Sequence, residues 1–240
     1  MSAHRFLASS ISSDTVTFSA EQSHQMRHVL RLRPGDRVRV FDGATPRDLL
    51  VQLTGEGGVV IGECPQRAEP RTRLIVYPAL LRREKFEPVL QKLTELGATA
   101  IVPLLTVHSL IREPPDGHRM DRWRAIVREA TEQCGRGCLP VLRQAVNFDS
   151  AVRQADGTVV MVYEGEHDVD VRQALADRPQ TLSLLVGPEG GFSQDEVDAA
   201  RHAGARVVTL GPRILRAETA ALVAAALVLY ELGDLSSHQP

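Results

Sequence analysis

The sequence predicts an α/β protein in two parts: a β-rich N-terminal part, and a larger part of alternating strands and helices around a mostly parallel sheet. Three observations carry this. Arg37-Val38-Arg39-Val40-Phe41 alternates polar and apolar residues, the mark of a half-buried strand. From Leu74 onward, short apolar runs alternate with stretches of helical periodicity, which implies parallel strands covered on both faces. Two late runs, from Leu182 to Val186 and from Arg206 to Leu210, each stop at a glycine that opens a loop feeding a helix. Loops of that kind build ligand sites at the carboxyl ends of strands in α/β folds.

In the first part, a helix is predicted from about Ala20 to Leu30. Pro34-Gly35-Asp36 forms a turn before the strand at Arg37, and Asp42-Gly43 a turn after it. Short strands follow from Leu49 to Leu53 and from Val59 to Ile61, and a small barrel is the natural closure. The boundary falls in the polar stretch from Pro65 to Arg73, giving domains of residues 1–70 and 71–240. In the second part, Leu74 to Tyr77 is a strand. Phe86, Val89, Leu90, Leu93 and Leu96 share one helical face, and Gly97 closes that helix. A strand from Ala100 to Val102, a helix from Met120 to Gln133 and a strand from Thr158 to Tyr163 come next. After the strand ending at Val186, Ser193 and Glu196 stand at capping-box spacing, so a helix starts there and ends at Gly204. The last helix, from Thr219 to Leu232, is apolar nearly all round, which places it in a core or a subunit interface. It is too short and too alanine-rich for a membrane span.

Composition narrows the class. The chain has 240 residues and a net charge of −2, which argues against a wholesale polyanion binder. Residues 1–75 hold ten basic and eight acidic side chains, the remainder eighteen and twenty-two, so the first part is the one that could face a polyanion. Arginine outnumbers lysine 26 to 2. Aromatic residues make up only 4%, too few for a base-stacking platform of the RRM type. The N-terminus lacks the apolar segment of a signal peptide, and three cysteines without a C-x-x-C are the free thiols of a cytosolic protein. Cys134 and Cys138 could in principle share a metal, but Gly135 and Gly137 break the helix that would align them, and no metal is expected.

The two late loops carry the chemistry. Gly190 and Gly191 allow a ligand to approach the main chain closely. Gly-Pro-Glu-Gly-Gly could be an ordinary turn, but two such loops in succession, each between strand and helix, favour a ligand site. There is neither a G-x-G-x-x-G nor a Walker-type lysine loop, so a nucleotide-like ligand without phosphates, held by backbone groups, fits better.

The spelling is particular. Gly187-Pro188-Glu189-Gly190-Gly191-Phe192-Ser193, followed by Leu210-Gly211-Pro212-Arg213-Ile214-Leu215-Arg216-Ala217-Glu218-Thr219-Ala220, resembles the C-terminal signature of the 16S ribosomal RNA uridine-N3 methyltransferases, a family of the SPOUT superfamily. The stretch from Ser23 to Asp36 resembles that family's N-terminal motif. Gln91 to Gly97 with Ile101-Val102-Pro103, and Glu129 to Arg136 with Pro140, resemble two central ones. Five motifs in the family's order make the combination specific. One departure is His108, where the family usually has an arginine before the serine.

The resemblance implies a PUA-like β-barrel followed by a SPOUT α/β domain with a C-terminal trefoil knot. It further implies a cytoplasmic homodimer, and methylation of N3 of a uridine, conventionally numbered 1498, in 16S rRNA, probed most naturally within the 30S subunit. The implied cofactor is S-adenosyl-L-methionine, held by Gly187, Glu189, Gly190, Gly191, Leu210, Gly211, Ile214, Leu215, Arg216 and Thr219. Uracil N3 must lose its proton to become a nucleophile, so the site needs a base or a cation that stabilises the uracil anion. Arg216 and Glu218 are the candidate catalytic residues; Glu218 could instead fix Arg216 or cap the last helix. Arg5, Arg27, His28, Arg31 and Arg33 are candidates for holding rRNA phosphates, and Arg136 for phosphate or uracil, against the alternative of solvated surface. Competing readings are a SPOUT enzyme acting on a ribose 2′-hydroxyl, a non-catalytic ribosome-assembly factor, and a small-molecule α/β enzyme.

Overall fold

The computed structural model describes residues 4–65 and 69–235. The chain divides into two units: residues through Glu69 with Arg128–Leu139, and Pro70–Val127 with the described residues from Pro140 onward.

The first unit holds β1 (Arg5–Leu7), β2 (Ser10–Ser12), β3 (Thr15–Thr17), α1 (Ala20–His24), β4 (Arg37–Phe41), β5 (Asp48–Leu53) and β6 (Gly58–Cys64). They form one mixed six-stranded sheet in the order β1-β4-β5-β6-β3-β2, in which only β1 and β4 run parallel. A register shift at Leu50/Val51 marks a bulge, a device that bends a sheet. The alternation read in β4 is realised: Val38 and Val40 are fully buried and pack with Phe6, Val16, Met26, Val51 and Leu53.

The helix expected to Leu30 is present, but only its first half is α. Ser19 and Gln22 form a capping box at its start, and from Gln25 to Val29 the winding widens to a π-turn, with the Leu30 amide donating to the Gln25 carbonyl at 3.0 Å. Met26 is buried in this turn, while Arg27 and His28 face solvent.

Two of the basic residues assigned to rRNA are spent inside this unit. Arg5 is a correction to the phosphate-binding set: its side chain is 7% exposed, it makes a bidentate pair with Asp48 at 2.9 and 2.8 Å, and its guanidinium lies 3.7 Å from the centre of the Phe41 ring. It also donates to the carbonyls of Thr131, at 2.9 Å, and Arg136. Arg136 is likewise corrected. Its side chain is 9% exposed and paired with Glu69 at 2.8 Å, and the same carboxylate accepts the amides of Gly137 and Cys138. Glu132 completes the cluster by accepting from the Leu7 amide and the Gln22 side chain; burial pushes its carboxyl up, against those two hydrogen bonds. These contacts place Arg128–Leu139 in the first unit, where the sequence suggested a single cut near residue 70.

The second unit holds β7 (Arg73–Pro78), α2 (Arg83–Leu96), β8 (Ala100–Ile101), β9 (Leu104–Leu105), α3 (Gly117–Cys134, its last turns counted with the first unit), β10 (Val141–Leu142), β11 (Val146–Asn147), α4 (Phe148–Gln154), β12 (Thr158–Val162), α5 (Val171–Ala174), β13 (Thr181–Val186), α6 (Gln194–His202), β14 (Arg206–Val208) and α7 (Ala217–Glu231). The main sheet is parallel throughout, in the order β10-β8-β7-β13-β12-β14, and β9 pairs with β11.

The predicted boundaries hold closely: α2 ends at Gly97, in the left-handed region, and α6 starts at the Ser193–Glu196 capping box. One face of the sheet is covered by α4 and α6, with Phe148, Val197 and Ala200 in the core; α7 packs against both α2 and α5. Ala220, Ala221, Ala224, Ala225, Val228 and Leu229 of α7 are buried, while Leu222, Val223, Ala226 and Leu227 stay half-buried and Tyr230 exposed.

Candidate ligand site at three strand ends

β12 lies between β13 and β14 in the sheet. The carboxyl ends of these three strands therefore deliver three loops to one place. The loop after β13, Gly187 to Ser193, is fixed at several points. The Gly191 amide donates to the Pro188 carbonyl at 3.0 Å, and His108 Nδ1 lies 3.1 Å from the Gly190 carbonyl. Glu196 caps α6 through the Ser193 amide and also accepts the Val107 amide at 3.0 Å. Gly191 has φ of +69°, and a Cβ added there would collide with the Glu164 carboxylate. Glycine is required at that point on both counts.

The loop after β12 begins at Tyr163, whose amide donates to the Val208 carbonyl. It is pinned again at Glu166, which accepts the His167 and Asp168 amides and pairs with Arg201 at 2.9 Å. Those hydrogen bonds, the Asp168 amide foremost, hold the Glu166 carboxyl below the usual range. The loop after β14 runs from Thr209 to Arg216, which is the N-cap of α7 but makes no side-chain cap.

Together the loops enclose a cavity of about 670 Å³, within the ~300–1,000 Å³ usual for small-molecule sites. Gly187, Glu189, Gly190, Gly191, Leu210, Gly211, Ile214, Leu215 and Arg216, to which the resemblance assigns the cofactor, all line it. Thr219 does not. It faces solvent on α7, and the next residue, Ala220, lines the cavity instead. Glu218 is also outside the lining.

What Glu218 meets is Lys85, from α2. Lys85 Nζ is 2.9 Å from Glu189 Oε1 and 3.6 Å from Glu218 Oε2, so one ammonium bridges the loop after β13 and the first turn of α7. Burial alone would raise the Glu189 carboxyl; the hydrogen bond from Lys85, with its charge and that of Arg82, outweighs burial and holds it below the usual carboxylate range. The hydrogen bond to Glu189 in turn pushes Lys85 up. Lys85, Glu164, His167 and Arg213 were not singled out from sequence. The one sequence signal for the first is that Lys85 is one of only two lysines in an arginine-rich chain.

The remaining rRNA candidates lie in the first unit. Arg27, His28, Arg31 and Arg33 are exposed; Arg27 donates to the Gly55 carbonyl at 2.7 Å, and His28 stacks on His24 with ring centroids 4.5 Å apart. Among the described residues, no group of three or more His, Cys, Asp or Glu is arranged to hold a metal, and no helix is long and apolar enough to cross a membrane.

Residues 68–229 match the family of the RNA methyltransferase domain. The chain is similar to ribosomal RNA small subunit methyltransferase E of Synechocystis sp., 34% identical over 221 residues, covering 89% of this chain and 72% of that protein. The protein of the same name from Rickettsia conorii is 31% identical over 214 residues, covering 85% of each. The fold is similar to that of a ribosomal RNA small subunit methyltransferase E from Neisseria gonorrhoeae solved bound to S-adenosyl methionine: TM-score 0.85, 28% identity, covering 98% of this chain and 100% of that one.

Proposed function

Since the chain belongs to the RNA methyltransferase family, among the ribosomal RNA small subunit methyltransferases E, we propose that it transfers the methyl group of S-adenosylmethionine to N3 of a uridine in 16S rRNA, at the position conventionally numbered 1498. It is an S-adenosylmethionine-dependent rRNA methyltransferase. The observation that carries the residue assignment is the three-loop cavity.

The cavity's chemistry fits this cofactor. Val186, Leu210, Ile214, Leu215 and Ala220 offer apolar wall for a purine, and the main chain at Gly187–Gly191 and Leu210–Gly211 offers donors and acceptors within a glycine cradle. When bound, S-adenosylmethionine supplies an electrophilic methyl group on a positively charged sulfur. The chain's own part is alignment and charge. Arg216, exposed at the cavity rim, is a cation that stabilises the negative charge on uracil O2 and O4 as N3 loses its proton. Arginine cannot serve as the base. Glu218 acts through Lys85 and the start of α7, as a positioning residue.

Arg27, His28, Arg31 and Arg33 supply phosphate contacts, without Arg5 and Arg136, whose charges are already matched internally. The half-buried apolar strip of α7, Leu222, Val223, Ala226 and Leu227 with exposed Tyr230, supports a homodimer. The bulged mixed sheet of the first unit supports a PUA-like barrel, and the insertion of β12 between β13 and β14 supports a trefoil knot. The enzyme works in the cytoplasm on the 30S subunit.

The test is methylation of 30S particles from a strain lacking the enzyme, compared with naked 16S RNA, with the modified atom mapped by mass spectrometry. Methyl on a base nitrogen of uridine supports the reading. Methyl on a ribose 2′-oxygen, or none despite cofactor binding, overturns it.

A further inference from the structure

The acidic and basic side chains lining the cavity are Glu164, His167, Glu189, Arg213 and Arg216. Glu189 is already committed to Lys85 at 2.9 Å. Glu164 is therefore the carboxylate of the cavity wall with no ion pair or hydrogen bond to any described residue. It is also held in place. The chain is tied at Tyr163 to Val208, and at Glu166 to two amides and Arg201, so the residue sits between two fixed points. Its carboxylate occupies the space beside Gly191 that a side chain would otherwise fill.

The methionine end of S-adenosylmethionine presents an α-carboxylate, an α-ammonium and the sulfonium. The α-carboxylate is repelled by Glu164. A carboxylate at the sulfonium would stabilise the reactant more than the transition state, because the sulfur loses its charge as the methyl leaves, and this would slow the reaction. The α-ammonium keeps its charge throughout and carries three N–H donors for a carboxylate to accept.

We propose that Glu164 is the receptor for the α-ammonium of the cofactor's methionine moiety, with Gly191 kept free of a side chain so that this carboxylate can stand there. The inference rests on the S-adenosylmethionine reading of the cavity. Glu164 is thus a specificity-determining residue: it selects ligands that carry the amino-acid end, without acting on the methyl group.

The experiment is calorimetry of the full chain and its Glu164→Gln variant with three ligands: S-adenosylmethionine, S-adenosylhomocysteine, which lacks the sulfonium charge, and methylthioadenosine, which lacks the amino-acid end. Loss of a charge-assisted hydrogen bond predicts that the first two weaken alike, by about tenfold to a hundredfold, while methylthioadenosine binds as before. A loss confined to S-adenosylmethionine places the carboxylate at the sulfonium and overturns the proposal. A loss that extends to methylthioadenosine places the carboxylate on the shared nucleoside or shows a collapsed loop, and unchanged binding of all three shows no contact; both also overturn it. If the unaltered chain binds none of the three, the cofactor reading itself fails, and that outcome is separate from the others.

Discussion

At the scale of single residues, the proposed site separates groups that would bind from groups that would act on charge. Arg216 stands at its rim, and its guanidinium has no hydrogen-bond or ion-pair partner among the described residues, which suits it to a charge that develops only during reaction. Arg216→Ala should lower single-turnover methylation of 30S particles by on the order of a hundredfold while both binding steps stay nearly intact. Raising the pH should restore part of the rate, because bulk deprotonation of N3 replaces the missing stabilisation. A variant that fails only because cofactor no longer binds removes Arg216 from the chemical step. Gly191 makes the opposite kind of contribution. Gly191→Val places a branched side chain at φ +69° and into the Glu164 carboxylate, adding about 1–3 kcal/mol of backbone strain besides the collision. Cofactor affinity should fall by at least about tenfold with the circular dichroism unchanged; undiminished affinity excludes this loop from the site. Gly191 was singled out in the sequence because two glycine-bearing loops in succession, each between strand and helix, favour a ligand site. Glu164 was not, because nothing local marks it. Its importance comes from lying opposite Gly191, a relation set by the fold.

Among elements, Lys85 joins α2, the loop after β13 and the start of α7. Lys85→Met should lower cofactor affinity several-fold, while an arginine at the same place restores part of it, with the melting temperature little changed. The same clamp predicts a pH profile. The Glu189 carboxyl is lowered by folding, so its contribution is complete above the usual carboxylate range and is lost as the pH falls through its depressed value. Lys85 is raised, so its share is complete below the usual lysine range and is lost as the pH rises through its elevated value. Stability measured by denaturant titration should therefore keep the full contribution of this clamp between these limits, and Glu189→Gln should lose the part of the acid limb that Glu189 contributes. α7 carries a further expectation. Leu227→Glu charges the half-buried strip without touching the buried alanine face. It should convert a dimer to a monomer by light scattering at micromolar concentration; a parent that is itself monomeric refutes the dimer. The helices and strands were largely readable because capping boxes, terminal glycines and apolar periodicity are local signals. The order β13-β12-β14 is not local. Two loops were read as a site, and the third, which the sheet inserts between them, was missed for that reason. The π-turn from Gln25 to Val29 was missed because its apolar spacing over so short a stretch differs little from that of an α-helix.

For the molecule as a whole, the distribution of basic residues is informative once the internally matched ones are removed. Arg27, Arg31 and Arg33 remain exposed. Changing all three to alanine should weaken rRNA binding and flatten its salt dependence, by a slope of about 0.7–0.9 for each phosphate no longer neutralised, with cofactor affinity unmoved. If the full salt slope survives, these arginines are solvated surface. Arg5 and Arg136 show why charge counting over-assigns nucleic-acid binding: sequence reveals a cation, but the carboxylates that neutralise these two lie 43 and 67 residues away.

That separation has a consequence for how the chain is made. Synthesis delivers Arg5, Phe41 and Asp48 long before Thr131, Glu132 and Arg136. At roughly 5–20 residues per second, the first sheet waits several seconds on the ribosome for the carbonyls that take the remaining Arg5 donors and for the carboxylate that takes the Leu7 amide. The N-terminal unit therefore cannot close when its own strands are made, although its last residue, Leu139, still precedes strands β12, β13 and β14 of the other unit. Its completion is deferred until residues 70–127, all of them belonging to the other unit, have been threaded out, so part of one unit is born before the other can be completed.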